Sequence, residues 1–172
     1  SVIDAKGLVV APGFIDLHQH ALTPADTILK AQDGVTTAAE LEVGTADVDA
    51  WYAAREGRMT IHFAVSVGHI PCRMAVMGDS PAFLPAANSG AATRVANDEQ
   101  LAALRAMIER GLRRGAVAVG FGLQYTPGAT HWESLEIFRV AAQFRASCHV
   151  HMRAKGGTGP QNVFSAVGEL IA

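Results

Sequence analysis

The chain has 172 residues, 49% of them apolar, and a formal net charge of −2. That length and apolar share suit a folded body with a sizeable core and exclude a disordered chain. No run of Lys or Arg forms a basic patch, and no apolar run approaches the roughly 20 residues that span a bilayer, so nucleic acid and membrane are poor partners.

Cys72 and Cys148 are too few for a disulfide framework. Both are expected to be reduced and structural, with the cytoplasm as the default location. The N-terminus shows no basic segment followed by an apolar one. It also lacks an initiator Met, and residues 167–172 stop inside an apolar helical pattern. The expectation is a piece of a longer protein.

In chain order, residues 2–10 read as a hairpin turning at Ala5-Lys6-Gly7. Residues 14–17 form a short strand running into His18-Gln19-His20. Residues 23–32 have helical character, ended by Asp33-Gly34. Residues 35–43 are a second strand, 47–57 a helix, and 60–67 a third strand ending at Gly68-His69. Residues 70–96, rich in Pro, Gly and Ala, read as a long connection of the kind that often carries function. Asn97 and Gln100 make a capping box for a helix with Leu101, Leu104, Ile108 and Leu112 on one face. Residues 116–119 are a fourth strand, followed by a Gly-rich loop over 120–128 with Tyr125 and Pro127. Thr130 and Glu133 suggest a second capping box, opening a helix to Phe144 with Leu135, Phe138 and Ala142 inward. Residues 148–152 are a fifth strand, 156–160 a loop, and Pro160 suits the first turn of a last helix.

Strands alternating with helices imply an α/β fold with a parallel sheet. The polar candidates fall at the C-terminal ends of strands one, two, three and five, where a (β/α)8 TIM barrel places its active site. A whole barrel needs about 250 residues. This chain accounts for about five βα units, a partial barrel whose open sheet edges make a homo-oligomer a candidate assembly.

Two imidazoles alternating on one strand end, His18 and His20, face the same way and can share one metal ion. Their setting, Ala11-Pro12-Gly13-Phe14-Ile15-Asp16-Leu17-His18-Gln19-His20, resembles the opening signature of the amidohydrolase superfamily. The resemblance implies a metal-dependent hydrolase barrel joined to a small β-sandwich. Residues 1–12 would then be a remnant of that sandwich and 13–172 the front of the barrel. It also implies one or two divalent ions, zinc foremost.

Further segments are similar to the D-aminoacylases, the N-acyl-D-amino-acid deacylases. They are Val67-Gly68-His69 with Arg73 and Met77-Gly78, then Gly122-Leu123-x-Tyr125-x-Pro127-Gly128, then His151-Met152-Arg153. The resemblance makes His151 the fifth-strand ligand and Tyr125 a substrate contact. His149 shares the face of His151 and is compatible with the metal or its surroundings. His69, at a strand end, is placed to touch substrate or polarise its carbonyl, as a catalytic residue. Arg153 is expected to pair with a carboxylate, that of Glu42 or of the substrate. His62 and His131 read as structural.

The chain departs from both resemblances, and Ala118 and Gly120 replace a Gly and a Ser of the D-aminoacylases' strand-four segment. Where the D-aminoacylases carry an Asn-Cys pair whose Cys is a ligand, Glu42-Val43 stands here. Glu40 and Glu42 share one strand face, and either carboxylate is placed to ligate or bridge metal. The lysines are Lys6, Lys30 and Lys155, none on strand four, which argues against a carboxylated-lysine bridge.

The expected reaction is hydrolysis of the C–N bond of a small-molecule amide, an N-acyl-D-amino acid by resemblance, by metal-activated water. In the superfamily a strand-eight Asp moves the proton and strand six adds a His ligand. Neither strand is expected within these residues, so the isolated chain is expected to turn over little. Hydrolysis of a cyclic amide or dipeptide is the alternative chemistry. A relative that binds metal or ligand without turnover is the alternative class.

Overall fold

The computed structural model describes residues 2–20, 22–154 and 162–172. Five strands, β1 (Phe14–Asp16), β2 (Val35–Thr45), β3 (His62–Gly68), β4 (Ala118–Gly122) and β5 (Ser147–His151), pair in parallel in sequential order. Helix α1 (Pro24–Gln32) links β1 to β2, and α2 (Val48–Ala53) links β2 to β3. Helices α3 (His69–Met77), α4 (Gly90–Thr93) and α5 (Asp98–Arg113) lie between β3 and β4. Helix α6 (His131–Gln143) precedes β5 and α7 (Val163–Ile171) follows it. Among the described residues no helix is long and apolar enough to cross a membrane.

The sheet curls. Strands stand about 4.8 Å apart, so β2 and β5 would be about 14 Å apart in a flat sheet. Yet Glu42 of β2 touches His151 of β5 directly, at 2.7 Å. The sheet is therefore half of a barrel wall, its concave side inward. Gly120 of β4 permits this. A Cβ there would stand 2.3 Å from the Glu42 carbonyl oxygen and 2.5 Å from that of Leu41, so only glycine lets the backbones approach across the interior.

The main core lies on the convex side. Val65, Val67, Val119 and Phe121 of the strands pack against Leu104, Ile108 and Leu112 of α5 and Ile137 and Val140 of α6. Strand β4 is buried throughout, as expected of a parallel strand covered on both faces. Both cysteines are free, and burial pushes the Cys72 and Cys148 thiols up to about 12, so neither offers a thiolate near neutral pH.

The capping chemistry explains most helix starts. Thr23 and Asp26 bond reciprocally at α1, as do Asn97 and Gln100 at α5. Asp47 caps α2. Four expectations are corrected. Residues 2–10 keep the turn, with the Leu8 N–H donating to the Ala5 carbonyl at 2.9 Å, but form no ladder. Val2, Ile3, Val9 and Val10 are almost wholly exposed, and an unsupported hairpin is marginal in water. The connection after β3 opens as α3: Pro71 sits in its first turn, where a missing N–H costs nothing. Strand β4 runs on through Gly120 and Gly122, and Leu123–Tyr125 forms a 3₁₀ turn. Helix α6 turns Ser134, Ile137, Val140 and Ala141 inward and leaves Ala142 exposed. The readings placed on residues 156–160 lie outside the described residues.

Candidate metal centre

His18 and His20 follow β1 directly. The Asp16 carboxylate accepts from the His18 backbone N–H at 3.1 Å and pairs with Lys30 of α1, fixing the turn that presents the imidazoles. Burial works to raise the Asp16 pKa. The bonds from Lys30 and the His18 N–H outweigh it and hold the carboxyl below its usual range.

Glu42 is the hub. Its buried carboxylate lies 3.4 Å (Oε2) from His18 Nε2, 3.9 Å (Oε2) from His20 Nε2 and 2.7 Å (Oε1) from His151 Nδ1. His18, His20 and Glu42 each offer a ligand atom within 4.8 Å of the others. Atoms bound tetrahedrally to zinc at about 2.0–2.1 Å stand about 3.3 Å apart, so this donor set fits one ion after small side-chain adjustments. The two oxygens of Glu42 face opposite ways, one toward His18 and His20, the other toward His151. That is the disposition of a carboxylate able to span two cations.

Glu40 takes a different place. It faces the Nδ1 of His20 at 2.9 and 3.1 Å rather than the mouth of the cluster. Tyr125, in the 3₁₀ turn, sets its ring 4.9 Å from that of His151. His149 stands apart, bonded to Ser147 at 3.0 Å; burial and the charge of His18 lower its pKa.

The reading of two candidates is corrected. His69 is fully buried, because α3 begins at this residue and carries the ring into the layer between α3 and α6. There Nε2 meets Glu133 at 2.8 Å and the ring stacks on Phe121. Arg73 is sealed against the same carboxylate, and its Nε donates to the Ala91 carbonyl at 2.8 Å. Glu133 therefore completes only half a capping box: Thr130 accepts its N–H, but its carboxylate goes to Arg73 and His69. Arg153 pairs with Glu169 of α7 through two bonds of 2.8 and 3.0 Å and donates to the Ala129 carbonyl, so it faces neither Glu42 nor the open site. His131 lies at the surface, 3.7 Å from Glu169.

Two neighbours escaped the sequence reading. Gln124 places its Oε1 2.9 Å from His151 Nε2, and Phe83 sets its ring edge-on to His20 at 5.2 Å. Gln124 occupies the position that the Gly-Leu-x-Tyr resemblance leaves unspecified. Phe83 sits in a connection without a periodic pattern.

The model of the Amidohydrolase family matches residues 1–66. An N-acyl-D-glutamate deacylase of Alcaligenes xylosoxydans xylosoxydans is 32% identical over 99% of this chain and 38% of its own length. The D-aminoacylase of the same organism is 30% identical, over 90% of this chain and 36% of its own. The solved N-acyl-D-glutamate deacylase of Bordetella bronchiseptica, complexed with zinc and a phosphonate mimic of the tetrahedral intermediate, superposes with a TM-score of 0.76. It is 30% identical and covers 98% of this chain and 39% of that one. Residues 1–66 thus match the amidohydrolase family, and the chain as a whole is similar to part of its deacylases. Its fold is the corresponding part of a TIM barrel, and it is similar to D-aminoacylases and N-acyl-D-amino-acid deacylases. The chain spans little more than a third of the length of those relatives.

Proposed function

We propose that these residues supply the first part of the active centre of a metal-dependent hydrolase that cleaves the amide bond of an N-acyl-D-amino acid. His18, His20, Glu42 and His151 hold the cation or cations, zinc foremost, in this reading. The observation that carries it is the Glu42 carboxylate, placed between three imidazoles from two different strand ends. The zinc-bound relative and its tetrahedral-intermediate mimic support the metal and the reaction class. A zinc ion so held supplies Lewis acidity and a water of lowered pKa.

The chain's own residues do the rest of what these strands contribute. Glu42 neutralises charge and sets the spacing of the imidazoles. Tyr125 walls the site beside His151 and presents a polar tip to substrate. Residues 1–12 belong, in this reading, to a small β-sandwich beside the barrel. The rest of the chemistry, a proton-moving carboxylate and a further imidazole, comes from strands beyond the five described.

The test is direct. The full-length protein should bind zinc and hydrolyse N-acetyl-D-amino acids but not their L-enantiomers. Residues 1–172 alone should turn over little. Metal-free full-length protein with undiminished activity would overturn the proposal.

A further inference from the structure

Strand β2 carries an irregularity beside the cluster. Between the pairs Glu40↔Val65 and Thr45↔Val67, β2 advances five residues (45 − 40) while β3 advances two (67 − 65). Gly44 absorbs the excess with a φ of +65°. A bulge of this kind takes backbone N–H groups out of the ladder and re-aims side chains, often next to active sites. Here Val43 and Gly44 donate theirs to Glu40 Oε1 at 3.2 and 3.4 Å. The buried Glu40 carboxylate is thus pinned by the strand that carries it, and Arg55 supplies a favourable positive charge nearby.

So held, both Glu40 oxygens face the Nδ1 of His20, at 3.1 and 2.9 Å. An ionised carboxylate only accepts hydrogen bonds, so Nδ1 must carry the proton. That leaves the Nε2 lone pair for the Glu42 side of the cluster, 3.9 Å from Oε2. The hydrogen bond on one ring nitrogen decides which nitrogen is left to bind metal. Glu42 and Glu40 share a strand face yet divide the work: one joins the imidazoles, the other aims one of them.

We infer that Glu40 is a positioning residue of the metal centre, holding His20 as the Nδ1–H tautomer so that Nε2 is the ligand atom. This rests on the metal-centre reading above. Outer partners of ligating histidines typically change metal affinity by about 10–100-fold when removed.

The test uses metal-free full-length protein. Side-chain ¹⁵N shifts at a pH where His20 is neutral should show Nδ1–H in the wild type; a His20 found as Nε2–H overturns the inference whatever any variant does. In zinc competition titrations, Glu40→Gln keeps an acceptor for the Val43 and Gly44 N–H groups but holds the Nδ1 proton less firmly. It should weaken zinc binding by about 10–100-fold without moving the unfolding midpoint of the metal-free protein. Unchanged affinity overturns the inference and leaves the metal centre standing. Complete loss of binding, with the fold intact, makes Glu40 a ligand and overturns a positioning role. Failure of the wild type to bind zinc overturns the metal-centre reading itself.

Discussion

Arg73 of α3 and Glu133 of α6 form a fully buried ion pair, with His69 bonded to the same carboxylate. Removing one partner strands the other charge in the core, which costs about 3–5 kcal/mol, whereas removing both is tolerated far better. Glu133→Leu and Arg73→Met should each lower the denaturant midpoint sharply, and the double variant should recover much of the loss. A double-mutant cycle with no coupling would dismiss the pair as a stabilising unit.

The same carboxylate makes stability depend on acid. Burial acts to raise the Glu133 pKa, but bonding from His69 and the charge and bonding of Arg73 prevail and hold it below the ordinary value. A lowered folded-state pKa means the contribution is fully present above the unfolded value, about 4.3, and is lost as pH falls through the folded one. Unfolding midpoints measured from pH 6 down to pH 3 should drop less in Glu133→Gln than in wild type, from a lower starting point. Parallel curves would show that Glu133 is not responsible.

Glu42 stands between the imidazoles of His18, His20 and His151. Glu42→Cys should still hold a divalent ion, and its cobalt form should show a thiolate-to-metal charge-transfer band absent from wild type. Glu42→Ala should lose most bound metal on dialysis, measured by elemental analysis. Retention of full metal by Glu42→Ala would remove Glu42 from the centre.

Arg153 is a fastener of α7 in this structure, with both it and Glu169 largely shielded from solvent. Arg153→Met should cost about 3–5 kcal/mol of stability, the figure for a stranded buried charge, and leave KM of the folded enzyme unchanged. A raised KM at unchanged stability would return Arg153 to the substrate.

Two glycines should respond oppositely to alanine. At Gly120 the added methyl meets the β2 backbone, and overpacking of this kind costs about 1–3 kcal/mol. At Gly168, within α7, the methyl meets nothing within 4 Å, and a helical Gly→Ala change gains up to about 1 kcal/mol. Thermal unfolding of the two variants checks both signs.

The barrel segment was legible because its signals are local. The cap at Asn97 and the alternation of strand and helix need no distant partner. His18 and His20 were legible for the same reason, two residues apart on one strand end. The divided roles of Glu40 and Glu42 were not, because a period-two pattern gives both one face while the bulge at Gly44 decides what each meets. His69 and Glu133 misled for the converse reason. Each looked complete within its own neighbourhood, as strand-end imidazole and as cap, and 64 residues of separation hid the bond between them.

The contact between Glu42 and His151 ties together strands that are not neighbours in the sheet. Cation affinity and wall curvature are then one property viewed from two ends. An ion that grips both residues draws β5 toward β2, and any change that flattens the wall lengthens the span the ion must bridge. Chelation should consequently loosen amide protection in β5 first, far along the chain from the histidine pair after β1.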